Sequence, residues 1–172
     1  DNDEVWPTAQ TATADKKDLR VLKRLEEPSP LMTVKAEEWK ELKLTVDSGA
    51  GESVIPGTEA TNVPLEHGER FGCRYEVANG ADIPNLGERA CLMLTPGCQV
   101  PKKITFQVAD VHKPLLSISR AADAGFDCLL TNKGGWLLPR DGGERIPIRR
   151  RGNLYVLTCW VKPDDSGFAR QR

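Results

Sequence analysis

Past residue 40 the chain alternates between apolar and polar positions in short stretches. Leu42, Leu44 and Val46 fall on one side of an extended backbone and Lys43 and Thr45 on the other, which predicts a half-buried strand over residues 37–46. Ile104, Phe106 and Val108 alternate in the same way with Thr105, Gln107 and Ala109, predicting a strand over 104–111. Further strands are predicted over 71–78, 83–94, 128–131, 136–138 and 154–160, with a compact apolar run at 115–118. Asn79-Gly80, between two of these, is the strongest turn signal in the chain. Ser119-Arg120-Ala121-Ala122-Asp123-Ala124-Gly125 differs in texture, with a starting serine, helix-forming alanines and a terminating glycine, and predicts a short helix. Short strands with Gly, Pro and Asn punctuation and one short helix make the expected fold class all-β.

The first 33 residues lack this pattern. They are polar, carry charge in blocks and are broken by Pro7, Pro28 and Pro30, while Leu19, Leu22 and Leu25 recur at every third position. Residues 1–33 therefore read as a polar N-terminal extension, either disordered or forming a short helix over 18–27. Residues 34–162 form the expected folded domain and 163–172 a polar C-terminal tail. A length of 172 residues fits one domain with extensions. The first residue is Asp1 rather than Met, so the chain reads as a piece processed or excised from a longer one.

Charge changes the picture little: 24 Lys and Arg stand against 25 Asp and Glu, so net charge points to no polyanionic partner. The five cysteines (Cys73, Cys91, Cys98, Cys128, Cys159) cannot all pair within one chain, and none forms a Cys-x-x-Cys pair. Only His67 and His112 could join them as metal ligands, so no metal site and no cofactor are expected, and reduced thiols imply a cytosol-like, intracellular compartment. No apolar run has membrane-spanning length.

The chemistry concentrates in Leu44-Thr45-Val46-Asp47-Ser48-Gly49-Ala50, where a strand delivers one carboxylate into a tight turn. An Asp at the end of a rigid strand is fixed and exposed at once, as a catalytic group requires. The triplet is weak alone, since Asp, Ser and Gly dominate ordinary turns. It occurs at Asp47-Ser48-Gly49 and again at Asp165-Ser166-Gly167 in the polar tail, and only the first directly ends an apolar alternation. Its surroundings carry the assignment. Val46-Asp47-Ser48-Gly49-Ala50, then Val77-Ala78-Asn79-Gly80, then Lys113-Pro114-Leu115-Leu116-Ser117-Ile118-Ser119, follow in an order that resembles the retropepsin-like aspartic proteases. Within that family the chain looks most like the protease segment of copia-type retrotransposon polyproteins. The block Arg151-Gly152-Asn153-Leu154-Tyr155-Val156-Leu157 is similar to the segment leading from protease toward integrase in such polyproteins. One departure from the retroviral pattern is Ser117, where a Gly commonly follows the late apolar pair.

The resemblance implies a closed barrel forming half of a two-fold dimeric protease. Asp47 would be the catalytic residue, one from each subunit, and Ser48, Gly49 and Ala50 the active-site loop. Ala78, Asn79 and Gly80 would be the flap that covers an extended peptide or polyprotein substrate. The expected setting is cytoplasmic, within a retroelement particle. One Asp in this strand-end setting per chain agrees with a homodimer, since peptide hydrolysis by carboxylates alone needs two of them sharing one proton.

Two other readings compete: the same fold as an inactive peptide-binding module, and a nucleic-acid-associated structural fragment using Arg149-Arg150-Arg151 with Lys133, Arg140 and Arg145 nearby. The plainer reading of the arginines is a solvated basic edge between strands. Asp123, Asp127 and Asp141 read as surface or turn residues, and Glu52 as a solvated rim residue. Ser117 and Ser119 have only His112 as a conceivable base. Trp136, Tyr155 and Trp160 read as core or dimer surface.

Overall fold

The computed structural model of the protein describes residues 38–165. The expected arm at residues 1–33 and most of the C-terminal tail lie outside them. The described chain is mostly β. Its strands are β1 (Lys40–Asp47), β2 (Val54–Ile55), β3 (Arg74–Glu76), β4 (Asp82–Pro84), β5 (Gly87–Leu94), β6 (Lys102–Val108), β7 (Leu115–Ser117), β8 (Phe126–Thr131), β9 (Gly134–Pro139), β10 (Ile146–Arg151) and β11 (Leu154–Pro163). A six-residue helix, α1 (Ile118–Asp123), follows β7 directly.

Pairing runs in a circuit. β1 pairs with β7, β7 with β2, β2 with β6, β6 with β5, β5 with β11, and β11 with β1 again. From β11 the sheet continues outward through β10 and β9 to β8, which is its free edge. β3 and β4 form a separate two-stranded hairpin. Two pairings in the circuit, β1 with β7 and β2 with β6, are parallel, and the others are antiparallel.

The core is what the alternation requires. Leu42, Leu44, Phe106, Val108, Leu157, Cys159 and Val161 are at most 1% exposed, and Val46 and Ile104 pack against them from partly buried positions. Each fully buried aliphatic or aromatic side chain contributes about 1.5–3 kcal/mol relative to exposure. β5 shows the period of two throughout, with Gly87, Arg89, Cys91 and Met93 inward. Arg89 reaches this side because its guanidinium donates to the backbone oxygens of Val63 and Gly57, fastening the loop after β2 onto β5.

Several predicted elements are redrawn. The strand expected over 71–78 shrinks to β3, because Phe71 and Cys73 close turns on the Gly68 and Arg70 oxygens. The strand expected over 83–94 breaks at Asn85 and Leu86 into β4 and β5, which pair with different partners. The helix begins two residues early, capped by Ser117 rather than Ser119. β2 and β10 were not predicted: β2 has two residues, and the alternation of β10 is confined to Ile146, Pro147 and Ile148 before three arginines. β10 lies between β9 and β11, so Arg149-Arg150-Arg151 belongs to an inner strand rather than to an edge between strands, although all three side chains are exposed as expected. The pairing of both its flanks, more than its sequence, makes it a strand.

Candidate active site

Asp47 is the last residue of β1 and is half-buried, while Ser48 and Gly49 turn outward into solvent. The carboxylate folds back on its own turn, with the Gly49 N–H donating to Asp47 Oδ1 at 2.8 Å. A Cβ at position 49 would stand 3.3 Å from that oxygen, which is why a glycine lets the turn close so tightly.

The turn is braced from behind by β7. Ser117 is the Cα partner of Asp47 in the parallel β1–β7 pairing and is fully buried. Its hydroxyl donates to the Ala50 oxygen at 2.6 Å, and its N–H donates to Ser53 Oγ at 3.0 Å. The same hydroxyl accepts the Arg120 N–H at 3.3 Å as the cap of α1. With its proton committed to Ala50, it can also accept from Ser119 Oγ at 3.0 Å. This serine ties the Asp47–Ala50 loop, the segment after it and the helix together. His112 is exposed on the loop before β7.

Glu52 is not the solvated rim residue expected. Its side chain is only 14% exposed and is held by Arg70 and Arg120. Arg120 engages both carboxylate oxygens, Nε reaching Oε2 at 3.1 Å and Nη2 reaching Oε1. Hydrogen bonding by Glu52, and then its charge, raise the Arg120 pKa above the ordinary value. The triad joins the loop after Asp47, the turn before β3 and the start of α1. It could not be read from the sequence, because its members lie 18 and 50 positions apart (Arg70 − Glu52, Arg120 − Arg70).

Ala78, Asn79 and Gly80 are all exposed at the tip of the β3–β4 hairpin. The tip is a three-residue loop rather than a two-residue one: Val77 N–H donates to Ala81 O at 2.9 Å and Gly80 N–H to Val77 O at 2.8 Å. Gly80 has φ of 80°, the left-handed value such a loop takes at its last position, and Asn79 Oδ1 accepts the Ala81 N–H at 2.9 Å. The sequence therefore located the hairpin tip, while its strands are shorter than predicted.

The remaining candidates are occupied structurally. Asp127 pairs with Arg140 on the surface at 3.0 Å, and Asp141 Oδ1 accepts the Gly143 N–H within a turn at 2.9 Å. Arg150 donates to the backbone oxygens of Asn132 and Gly152 and lies over the Tyr155 ring. Trp136 is buried, while Tyr155 and Trp160 are half-buried. Among the described residues no three His, Cys, Asp or Glu side chains gather as a metal site, and no helix is long and apolar enough to cross a membrane. All five cysteines are free. No protein-family model, curated protein or solved structure matches this chain.

Proposed function

We propose that the chain is half of a homodimeric, retropepsin-like aspartic endopeptidase, that the pairing circuit is its closed barrel, and that it processes the retroelement polyprotein containing it. The observation that carries this reading is the bracing of the Asp47 turn by Ser117 across a parallel strand pair. An ordinary surface turn needs no buried support. A catalytic carboxylate does, because its position must hold while charge develops.

In the dimer two Asp47 carboxylates meet at the two-fold axis and share one proton, since like charges so close cannot both ionise. The ionised carboxylate takes a proton from water as its oxygen attacks the peptide carbonyl. The protonated one gives its proton to the carbonyl oxygen. The resulting gem-diol collapses as the amide nitrogen is protonated, releasing amine and acid. Ser48 bonds across the axis, and the β3–β4 hairpin closes over an extended peptide and excludes water.

The test is cleavage of a complex peptide mixture, with products identified by mass spectrometry, by the wild-type chain and by Asp47→Asn. The substitution keeps size and hydrogen bonding but cannot supply the shared-proton pair. Wild-type cleavage that falls to background in a folded Asp47→Asn chain is the expected result. Equal cleavage by the two chains would overturn the catalytic assignment. Peptide binding without cleavage by the wild type would leave the binding-module reading in its place.

A further inference from the structure

Asn85 sits where the chain leaves the β3–β4 hairpin and enters β5, and it is 1% exposed. A buried amide is costly unless every donor and acceptor is matched, and here every one is. Asn85 Nδ2 donates to the Tyr75 hydroxyl on β3 at 2.8 Å and to Gln107 Oε1 on β6 at 2.8 Å. Asn85 Oδ1 accepts the Gly87 N–H at 2.7 Å. Its backbone is equally committed, the N–H donating to Cys73 O at 2.7 Å and the carbonyl accepting the Gly72 N–H at 3.0 Å. One side chain thus joins the hairpin to the main sheet.

The sheet side of this joint leads back to the Asp47 loop. Gln107 donates its backbone N–H to Ser53 O at 2.9 Å, and Ser53 Oγ accepts the N–H of Ser117, the residue opposite Asp47. The corner beside Asn85 is also tightly built. Gly87 has φ of 134°, and a Cβ there would stand 2.5 Å from the Glu66 oxygen, so the chain can turn sharply into β5.

We infer that Asn85 is the positioning residue of the lid, fixing the root of the β3–β4 hairpin through Tyr75 to the strand segment, Gln107, that also anchors the Asp47 loop. The lid's angle over the site is then set by a buried amide rather than by apolar packing, since β3 and β4 place few side chains in the core. Such a joint holds one geometry while its bonds are intact and releases the hairpin as a unit when one is lost. The catalytic consequence rests on the proposed function; the joint itself does not.

The test therefore reads both. Asn85→Ala empties a buried, fully bonded position and can unfold the chain, so the discriminating variant is Tyr75→Phe, which removes one hydroxyl from a half-buried ring. Amide hydrogen exchange at Gly72, Val77, Gly80 and Asn85 should quicken at least about fivefold in Tyr75→Phe, while β1 and β11 amides stay within about twofold of wild type. With a cleaved peptide, KM should rise while kcat changes little, because the lid's resting position moves and the carboxylates do not. Hairpin exchange unchanged from wild type would overturn the inference. So would equal acceleration in β1 and β11, which would mean only general destabilisation. Selective hairpin acceleration in a chain that cleaves nothing would sustain the joint and remove the endopeptidase reading.

Discussion

Asp47 and Ser117 stand opposite each other at the ends of two parallel strands, and the serine, not the aspartate, is the buried member of the pair. Ser117 supports the loop through the Ala50 oxygen and the helix through the Arg120 N–H. Ser117→Ala removes both bonds and leaves a carbonyl oxygen without its donor. The expected loss is about 1–3 kcal/mol in urea unfolding. Cleavage should fall by more than the folded fraction does, because the Asp47 loop loses its brace.

Under the proposed function a monomer holds half a site, because Asp47 is the Asp-Ser-Gly aspartate that ends an apolar strand, whereas the second, Asp165, lies in the polar tail. Specific activity should rise with enzyme concentration and level off above the dimer dissociation constant. Well above that constant, a threefold excess of Asp47→Asn should cut activity to about one-quarter, since random pairing leaves only one wild-type chain in four with a wild-type partner. Activity indifferent to both concentration and the added chain would place the catalyst within one chain.

The tip of the β3–β4 hairpin, the proposed lid, is conformationally demanding. A Cβ at Gly80 would meet nothing within 4 Å, so the obstacle to substitution is its φ of 80° rather than crowding. A branched side chain disfavours that region, and Gly80→Val should cost about 1–2 kcal/mol locally. Global unfolding should change little because Ala78, Asn79 and Gly80 are exposed. Turnover should drop on the order of tenfold to a hundredfold as the tip is displaced. Unchanged kinetics would locate the lid elsewhere.

Two buried thiols, Cys91 and Cys159, couple the stability of the fold to alkaline pH. Burial pushes Cys91 from an ordinary value near 9 up to about 12, against the opposing pull of the Arg89 charge, and burial raises Cys159 as well. The folded state therefore keeps these protons at pH values where the unfolded chain has released them. Their contribution is full below about pH 9 and is lost as pH rises toward about 12 for Cys91. The slope is at most about 1.4 kcal/mol per pH unit for each thiol. Unfolding free energies between pH 8.5 and 11 should fall less steeply in a Cys91→Ala, Cys159→Ala chain than in wild type. Parallel slopes would assign the alkaline loss to other groups.

The local pattern determined the strand class, the inward faces of β1 and β6, the position of the β3–β4 hairpin tip and the place of Asp47 at a strand end. These follow from neighbours one to four positions apart, where alternation, turn residues and helix stops act. What the tertiary structure decided depends on residues far apart in the chain. Ser117 became the brace of the Asp47 turn and the helix cap because β7 lies parallel to β1. Glu52 left solvent because Arg70 and Arg120 arrive from separate elements. β10 became an inner strand despite three consecutive arginines because β9 and β11 supply its backbone partners. Asn85, unremarkable as a polar residue between two apolar ones, became the joint between hairpin and sheet only when Tyr75 and Gln107 met its amide. A hydrogen bond between distant residues has no period and leaves no trace in the spacing of a sequence, whereas burial of every second side chain leaves one that can be read directly.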